Sequence, residues 1–333
     1  MNLNNEKTLQ RPIISGYGAR TTAEEVVKDI DLKGKNVIVT GGYSGLGLEV
    51  SRVLSKAGAH ISVPTRSLEK AKKALDNIKN VEIEELNLSD PLSIDKFANK
   101  FEQSKRELNI LINCAGVMAI PEERDSRGYE MQFSTNHLGH FQLTARLFPA
   151  LKRANGARIV SLSSGGHALG GINFEDINYL KRKYDKWEAY GQSKTANALF
   201  ALELDKRGKS HGIRAFSVHP GSIVTNLSRF LSDEEMESMG AIDEEGRRAY
   251  TEFTEDRKTI EEGAATIVWC AISKDLNGKG GVYCQNVDIA PLADIESKDD
   301  VNPRGVYPWA VDEEASEKLW TLSENLTGVN FKI

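Results

Sequence analysis

The chain has 333 residues, of which 40% are hydrophobic and 27% are charged. This balance is typical of a soluble globular protein and excludes a disordered chain, because enough apolar surface exists to offset the entropy lost on folding. The 43 basic and 48 acidic residues give a net charge of -5, which argues against a nucleic-acid-binding protein.

Short β-branched runs alternate with amphipathic stretches from Lys35 onward, which is typical of βαβ units around a parallel sheet. In chain order, the predicted elements are strand 37–39, helix 46–57, strand 60–63, helix 67–78, strand 81–86, strand 109–115, helix 128–153, strand 157–163, helix 188–207 and strand 213–218. No linker or internal repeat interrupts them. We therefore predict a single-domain α/β fold of the Rossmann type, with a doubly wound parallel sheet of about seven strands and helices on both faces.

Three further segments flank or interrupt this domain. Residues 1–30 are expected to form an N-terminal extension of a domain spanning 31–290, and 291–333 a tail packed on it. Within 222–262 we predict a substrate lid, because the acidic stretch 232–262 also carries apolar residues that could form its inner face: Met236, Met239, Ala241, Ile242, Tyr250 and Phe253. A solvated helical hairpin explains the same stretch equally well.

Cysteine usage and hydropathy predict the compartment. Cys114, Cys270 and Cys284 are far apart and odd in number, which favours free thiols and a reducing cytoplasm. No apolar stretch has the length of a membrane span or a signal peptide, and the acidic 232–262 stretch would be repelled by anionic lipid. We expect a cytoplasmic protein that does not insert into a membrane.

A glycine-rich turn follows the first predicted strand. It reads Thr40-Gly-Gly-Tyr-Ser-Gly-Leu-Gly47 and leads into a helix. Glycines allow a sharp turn and close approach of a pyrophosphate, and the helix N-terminus offers unpaired N–H groups. The turn therefore predicts dinucleotide binding, although a ligand-free turn or an S-adenosylmethionine site would also need glycines. A P-loop is excluded because Leu48 and Glu49 follow Gly47.

The end of the second strand predicts which dinucleotide binds. It reads Val63-Pro-Thr-Arg66, with no acidic residue before Glu69. A carboxylate here would hold the ribose 2′-hydroxyl of NAD, whereas Arg66 can pair with the 2′-phosphate of NADP. We therefore expect NADP(H) as the preferred cofactor and NAD(H) as the weaker one, although Arg66 could also be a solvated surface charge.

Tyr190 and Lys194 are the strongest catalytic candidates. They are spaced i and i+4 on a predicted helix, so both side chains point to one face. A neighbouring ammonium group should lower the pKa of the tyrosine and make it a better acid and base at neutral pH. The strand before this helix ends in Ser163 and Ser164, which places hydroxyls at the ligand-binding edge of a parallel sheet.

In spacing and order, the motifs from Thr40 to Thr225 resemble those of the short-chain dehydrogenase/reductase family. The segments 136–141, 164–167 and 189–200, with Leu319-Trp320, are similar to its retinol dehydrogenase and WW-domain oxidoreductase branch. The resemblance extends over residues 31–326.

Site residues follow from this resemblance. It implies Ser164 as the catalytic serine, with Ser163 as the second choice, beside Tyr190 and Lys194, and Asn136 as the holder of a water in the proton relay. The implied cofactor-binding positions are Thr40, Gly41, Tyr43, Ser44, Gly45, Leu46, Gly47, Arg66, Asn87, Leu88, Asn113, Ala115, Gly116, Tyr190, Lys194, Pro220, Gly221 and Thr225.

Two of these expectations carry a qualification from the sequence itself. Asn87 stands where the family usually has an aspartate that contacts the adenine. His137 and His140 are spaced like metal ligands, but no third ligand lies near them in the sequence, so we expect no metal.

The expected activity is NADP(H)-dependent interconversion of a carbonyl and an alcohol on a small or medium apolar substrate. The alternative is a non-catalytic NADP(H)-binding regulator or scaffold, which would need the glycines and Arg66 but not Tyr190 and Lys194. An epimerase or dehydratase on a related scaffold is disfavoured by the glycine spacing. The family resemblance further implies a homodimer or homotetramer.

Overall fold

A central eight-stranded sheet organises the chain, and the computed structural model describes residues 7–296 and 304–333. The strands are β1 Asn36–Val39, β2 His60–Thr65, β3 Val81–Glu85, β4 Ile110–Asn113, β5 Arg158–Leu162, β6 Arg214–Val218, β7 Val282–Gln285 and β8 Asp288–Ile289. Their order across the sheet is β3-β2-β1-β4-β5-β6-β7-β8, parallel throughout except that β8 pairs antiparallel with β7. The predicted doubly wound fold is confirmed, with one strand more than expected.

The sheet reverses its winding beside β1. The chain passes from β1 outward through β2 to β3 and then returns to place β4 on the other side of β1, with Val37 facing Ile61 on one side and Ile110 on the other. Such a reversal leaves a crevice at the carboxyl ends of the central strands, which is where ligands bind in open α/β sheets.

Helices cover both faces of the sheet. Their bounds are α1 Ala23–Val27, α2 Gly45–Lys56, α3 Leu68–Leu75, α4 Pro91–Gln103, α5 Met131–Phe133, α6 Gly139–Arg153, α7 Lys186–Gly208, α8 Asp233–Ser238, α9 Ile260–Ile272 and α10 Glu313–Thr327. Buried side chains of α1, α2, α3 and α9 form the core on one face, and those of α4, α6, α7 and α10 form the core on the other. The central strands β1, β4, β5 and β6 are buried on both sides, as expected of a parallel sheet covered by helices.

The helix predicted over 128–153 begins three residues later, at Met131, and is not α-helical throughout. Residues Met131–Phe133 form α5, a π-helical turn covers Ser134–Leu138, and α6 follows. The carboxylate of Glu130 accepts hydrogen bonds from the backbone N–H groups of Gln132 and Phe133, at 2.9 and 2.6 Å, and thereby starts the helix at Met131. A π-helical turn often occurs at a functional site, and this one contains Asn136.

Part of the predicted N-terminal extension belongs to the core. Ala23, Val26 and Val27 of α1 are buried in the same cluster as α2 and α9. Nearer the start, the amide of Gln10 donates to the carbonyls of Tyr283 and Ala290, both at 2.8 Å, and so bridges β7 and the residue after β8. The extension is thus partly integrated into the domain.

The segment between β6 and α9 covers the carboxyl ends of the central strands. It contains a 3-10 helix at Asn226–Phe230, then α8, and an isolated bridge between Ser222 and Arg257 that closes the segment at its base. Among the residues the structure describes, no helix is long and apolar enough to span a bilayer.

Candidate active site

Two adjoining clefts open at the carboxyl edge of the sheet. The first, called the nucleotide cleft, has a volume of about 440 Å³ and is bordered by the β1–α2 turn and by the residues that follow β2, β3 and β4. The second, called the apolar cleft, has a volume of about 300 Å³ and lies between the turn after β5, the start of α7 and the lid. Leu46, Cys114, Thr225 and Leu227 line both clefts.

The structure distributes the predicted cofactor-binding residues between these clefts. Those that line the nucleotide cleft are Thr40, Gly41, Tyr43, Ser44, Gly45, Leu46, Gly47, Arg66, Asn87, Leu88, Ala115, Gly116 and Thr225. Tyr190, Lys194, Pro220 and Gly221 line the apolar cleft, where Leu46 and Thr225 also reach. Asn113 lines neither, because its buried side chain donates to Thr144 on α6 at 3.3 Å.

The glycines of the β1–α2 turn are required by close backbone packing. A Cβ on Gly47 would lie 2.4 Å from the Gly41 carbonyl oxygen, and Gly41 itself has φ of +69°. Ser44, which precedes α2, makes no side-chain capping bond, so the first N–H groups of the helix face the cleft without a side-chain acceptor. This cradle suits the pyrophosphate of a dinucleotide.

Thr40 holds this turn against the end of β4. Its hydroxyl oxygen accepts hydrogen bonds from the N–H groups of Cys114 and Ala115, at 2.9 and 3.0 Å, and lies 2.9 Å from Nε2 of His140. His140 Nδ1 donates to the Asn136 carbonyl, so Nε2 accepts the Thr40 proton. Burial lowers the pKa of His140 to about 4 and keeps it neutral.

The metal interpretation of the two histidines gains no support. His140 is committed to Thr40, and His137 Nε2 lies 2.7 Å from Ser323 Oγ. Within residues 7–296 and 304–333, no group of three or more potential metal ligands is clustered.

Three cationic side chains border the nucleotide cleft. Arg66 and Lys70 belong to the β2–α3 region and form no ion pair within the described part of the chain, whereas Arg229 approaches from the lid. Burial, together with the charge of Arg66, lowers the pKa of Arg229, so the two guanidinium groups lie close enough to repel. Arg229 was not predicted from sequence, because nothing in its local pattern links it to β2.

Asn87 forms a tight turn after β3. Its side-chain oxygen accepts from Ser89 N at 3.2 Å and from Ser89 Oγ at 2.9 Å, while its backbone N–H donates to Ser93 Oγ at 2.9 Å. These bonds hold Asn87 and Leu88 at the wall of the nucleotide cleft.

Tyr190 and Ser164 come together at the floor of the apolar cleft. Asp185 starts α7 by accepting from the N–H groups of Trp187 and Glu188, and this start sets the turn that carries Tyr190. A Cβ on Gly166 would lie 2.9 Å from the Tyr190 ring and 3.5 Å from Ser164 Oγ, so the two side chains are neighbours, and Ser164 Oγ accepts from Gly166 N at 3.1 Å. Ser163, the second choice, instead donates to the Lys194 carbonyl at 2.8 Å.

The expected lowering of the Tyr190 pKa is wrong for this structure. Burial raises the pKa of Tyr190 to about 12 and lowers that of Lys194 to about 8. Lys194 Nζ donates to the Leu162 carbonyl at 3.0 Å and lies 5.6 Å from the centre of the Tyr190 ring. The ammonium group is therefore directed at the end of β5, and desolvation dominates the tyrosine.

Asn136 binds protein groups through its whole side chain. Its amide donates to the Val117 carbonyl at 3.0 Å and to Ser193 Oγ at 2.9 Å, and its oxygen accepts from Val117 N at 2.9 Å. The side chain lines neither cleft and joins the residues after β4 to α7. It thus supports the segment beside Lys194.

The lid supplies much of the apolar cleft. Met236, Met239, Ala241 and Tyr250 line it, whereas Ile242 packs behind them and Phe253 is exposed. Opposite the lid, the cleft is lined by Met118, Leu162, Leu169 and Trp187. His167 and Tyr184 lie outside the apolar cleft.

Two polar residues of the apolar cleft were missed by sequence reasoning. His219 Nδ1 accepts from Gly165 N at 2.9 Å, and its Nε2 donates to Asp256 Oδ1 at 2.8 Å. The pair links the residue before Pro220 to the base of the lid. The Pro220-Gly221 motif next to His219 is the only feature of the sequence that could have indicated a role for this histidine.

The known proteins similar to this chain are short-chain dehydrogenases and other oxidoreductases. The family model for short chain dehydrogenases matches residues 35–236. A probable oxidoreductase of Streptomyces lividans is 40% identical over 297 residues, covering 87% of this chain and 97% of that protein. Retinol dehydrogenase 12 of Mus musculus is 34% identical over 310 residues, covering 91% and 90% respectively.

A solved structure extends the likeness to three dimensions. It is described as a putative uncharacterized protein from Mycobacterium paratuberculosis, has a TM-score of 0.70 at 31% identity, and covers 92% of this chain and 98% of its own. The chain therefore belongs to the short-chain dehydrogenase/reductase family of oxidoreductases, in the branch that includes the retinol dehydrogenases.

Proposed function

We propose that this chain reversibly transfers hydride between NADP(H) and the carbonyl/alcohol pair of a small or medium apolar substrate. The observation that carries the proposal is the grouping of Ser164, Tyr190 and Lys194 on the floor of an apolar cleft that opens into the nucleotide cleft. A cofactor-binding regulator would need the nucleotide cleft alone.

The protonation of Tyr190 suits the reductive direction. With a pKa of about 12, its hydroxyl carries a proton at neutral pH and can deliver it to the oxygen of a reduced carbonyl. Ser164 Oγ, next to it, orients that oxygen and stabilises the charge that develops there. When bound, NADP(H) would supply the hydride for the carbonyl carbon.

Lys194 and Asn136 support this pair in different ways. Lys194 Nζ would lie 3.7 Å from a Cβ placed on Gly116, which puts the ammonium at the boundary of the two clefts, where it would hold the nicotinamide ribose. Its pKa of about 8 keeps it largely charged at neutral pH while allowing it to exchange a proton. Asn136 keeps the residues after β4 in register with α7, so that Gly116 and Lys194 face each other.

The charges of the nucleotide cleft favour NADP(H) over NAD(H). Arg66 and Lys70 have no carboxylate partner in the described ranges, and Arg229 adds a third positive charge across the cleft. A 2′-phosphate would neutralise the repulsion between the arginines, whereas a ribose hydroxyl would not.

NADPH oxidation across a panel of apolar aldehydes and ketones tests the activity, with Tyr190→Phe as the decisive variant. We expect turnover to fall by about 10²–10⁴-fold, because a proton donor is lost, while the Kd for NADPH stays near that of the wild type. Tyr179→Phe is the matched control, since the Tyr179 hydroxyl is buried, has no hydrogen-bond partner among the described residues and lies outside both clefts.

Two results would contradict the proposal. Turnover of Tyr190→Phe equal to that of the control would remove Tyr190 from the chemistry. Tight NADPH binding by the wild-type protein, with no oxidation on any substrate of the panel, would favour the regulator.

A further inference from the structure

The turn that carries Ser164 has little rigidity of its own. Ser164 is followed by Gly165 and Gly166, and glycines leave the peptide planes around them free to rotate. The Ser164 carbonyl nevertheless accepts hydrogen bonds from His167 Nδ1 at 2.7 Å, His167 N at 3.1 Å and Tyr283 Oη at 3.2 Å. The orientation of Ser164 is therefore fixed by groups outside the two glycines.

His167 connects this carbonyl to the C-terminal part of the chain. Its Nε2 lies 3.1 Å from the backbone N of Tyr307, and its carbonyl accepts from Trp309 Nε1 at 2.8 Å. The His167 side chain is 2% exposed and lies outside the apolar cleft, so it contacts the site only through Ser164 and its neighbours.

Both ring nitrogens of His167 have assigned roles. The Ser164 carbonyl can only accept, so Nδ1 carries the proton, and the Tyr307 N–H can only donate, so Nε2 is unprotonated. The neutral ring therefore joins a backbone donor on one side to a backbone acceptor on the other. Burial keeps the pKa of His167 at about 4, which maintains this form at neutral pH.

The segment that supplies Tyr307 and Trp309 is itself anchored. We call residues 304–311 the C-terminal strap. Val306 in the strap is buried, donates to the Pro291 carbonyl at 2.9 Å and accepts from Ala293 N at 2.9 Å. The strap lies outside the region 35–236 that the family model matches.

We propose that the C-terminal strap positions the catalytic serine, with His167 as the positioning residue that transmits its hold to Ser164. This inference rests on the proposed function, because it assigns the strap a role in the turnover that Ser164 supports. Without the Tyr307 N–H, the His167 ring loses the hydrogen bond that its Nε2 accepts, and the Ser164–Gly165 peptide, which Tyr283 and His219 also hold, loses part of its restraint. The expected consequence is a lower kcat with unchanged cofactor affinity.

Tyr307→Pro removes the relevant N–H with little backbone change, since φ of Tyr307 is −74°, which proline adopts. Tyr307→Ala is the matched control, because it also lacks the aromatic side chain but keeps the N–H. We expect kcat of Tyr307→Pro to be about 3–10-fold below that of Tyr307→Ala, the range for loss of one hydrogen bond. The Kd for NADPH and the Tm of the two variants should agree.

The same pair in a Ser164→Ala background separates positioning from general damage. If the strap acts through Ser164, Pro and Ala at position 307 give equal kcat once the serine hydroxyl is absent. An equal decrease in both backgrounds, or equal kcat of the two variants in the wild-type background, would overturn the proposal. If Tyr307→Pro does not fold, Trp309→Phe, which removes the indole N–H that donates to the His167 carbonyl, is compared with Trp309 in both backgrounds. The proposal then requires a lower kcat with Ser164 present and an equal kcat in Ser164→Ala, and any other pattern overturns it.

Failure of the proposed function would look different. Ser164→Ala with wild-type turnover would remove the serine from the chemistry, whatever the strap variants do. A large loss in Ser164→Ala, with equal kcat for Pro and Ala at position 307, would leave the proposed function intact and reject only the strap.

Discussion

The two clefts of this protein are built by different means. The nucleotide cleft is bordered mainly by short motifs directly after β1, β2, β3 and β4, and its main features are glycines, backbone N–H groups and cations. The apolar cleft includes the Tyr190/Lys194 and Pro220-Gly221 motifs, but the rest of its lining comes from segments as far apart as Leu46 and Asp256. Under the proposed function, cofactor recognition would depend on local backbone geometry, and substrate recognition on how distant segments pack.

Charge separates the two regions further. The cations Arg66 and Lys70 of the nucleotide cleft have no ion-pair partner in the described residues. Acidic side chains of the lid are paired on its outer side, with Glu235 2.6 Å from Lys186 and Asp233 2.7 Å from Arg248. The first arrangement leaves charge available for an anion, and the second uses charge to hold an apolar surface in place.

The largest expected effect comes from breaking the backbone cradle. Gly47→Ala places a Cβ 2.4 Å from the Gly41 carbonyl, so the turn must open, and we expect NADPH affinity to fall by more than about 100-fold. Titration by fluorescence measures this Kd. Gly18→Ala is the control, because a Cβ there meets nothing within 4 Å, and wild-type affinity of Gly47→Ala would contradict the assignment.

Reversing the charge at Arg66 tests cofactor preference. Arg66→Asp should raise the Kd for NADPH by about 10–100-fold, through loss of a charge-assisted phosphate contact and new repulsion. The Kd for NADH should change little or fall, since a carboxylate can accept from the ribose 2′-hydroxyl. Equal changes for both cofactors would show that Arg66 does not contact the 2′ position.

A charge in the lid should affect the substrate and spare the cofactor. Met239→Glu puts a carboxylate into the apolar cleft, and we expect KM for an apolar carbonyl to rise by about 10-fold with the NADPH Kd unchanged. Ser238→Glu adds the same charge on the exposed side of α8 and serves as the control. Equal KM values for the two variants would remove the lid from substrate binding.

The smallest effect concerns stability in acid, away from both clefts. Burial lowers the pKa of His137 to about 3, so the unfolded chain takes up a proton below pH 6.5 while the folded chain does not. Stability is therefore lost as pH falls from about 6.5 toward 3, by about 2 kcal/mol at pH 5.

His137→Phe tests this, because the ring lies among Phe133, Phe141 and Phe200. The difference in unfolding free energy between pH 7.5 and pH 5 should be about 2 kcal/mol smaller in the variant than in the wild type. Urea denaturation at the two pH values measures it. An unchanged difference would mean that His137 is not held neutral by the fold.

Local patterns predicted the alternation of strands and helices and the glycine turn, because both follow from residue spacing along a short piece of chain. They did not predict α4, β7, β8 or α8–α10. The start at Met131, where the Glu130 carboxylate caps α5, and the π-helical turn before α6 were also missed, since apolar periodicity specifies neither.

Among the site residues, the i, i+4 spacing put Tyr190 and Lys194 on one face of α7, as their common position in the apolar cleft shows. Residue spacing could not predict the pKa values of these two side chains. The pKa of Tyr190 is raised because burial outweighs an ammonium group that is turned toward the end of β5.

By itself, the sequence determined the family, the doubly wound fold and the glycine-rich turn, since each follows from short motifs and from the alternation of strand and helix patterns along the chain. Only the tertiary structure brought Arg229 to Arg66, His219 to Asp256 and Tyr307 to His167. These contacts join segments 37 to 163 residues apart, and no local propensity specifies such distances. They are decided by the packing of the lid and the strap on a sheet that has already formed.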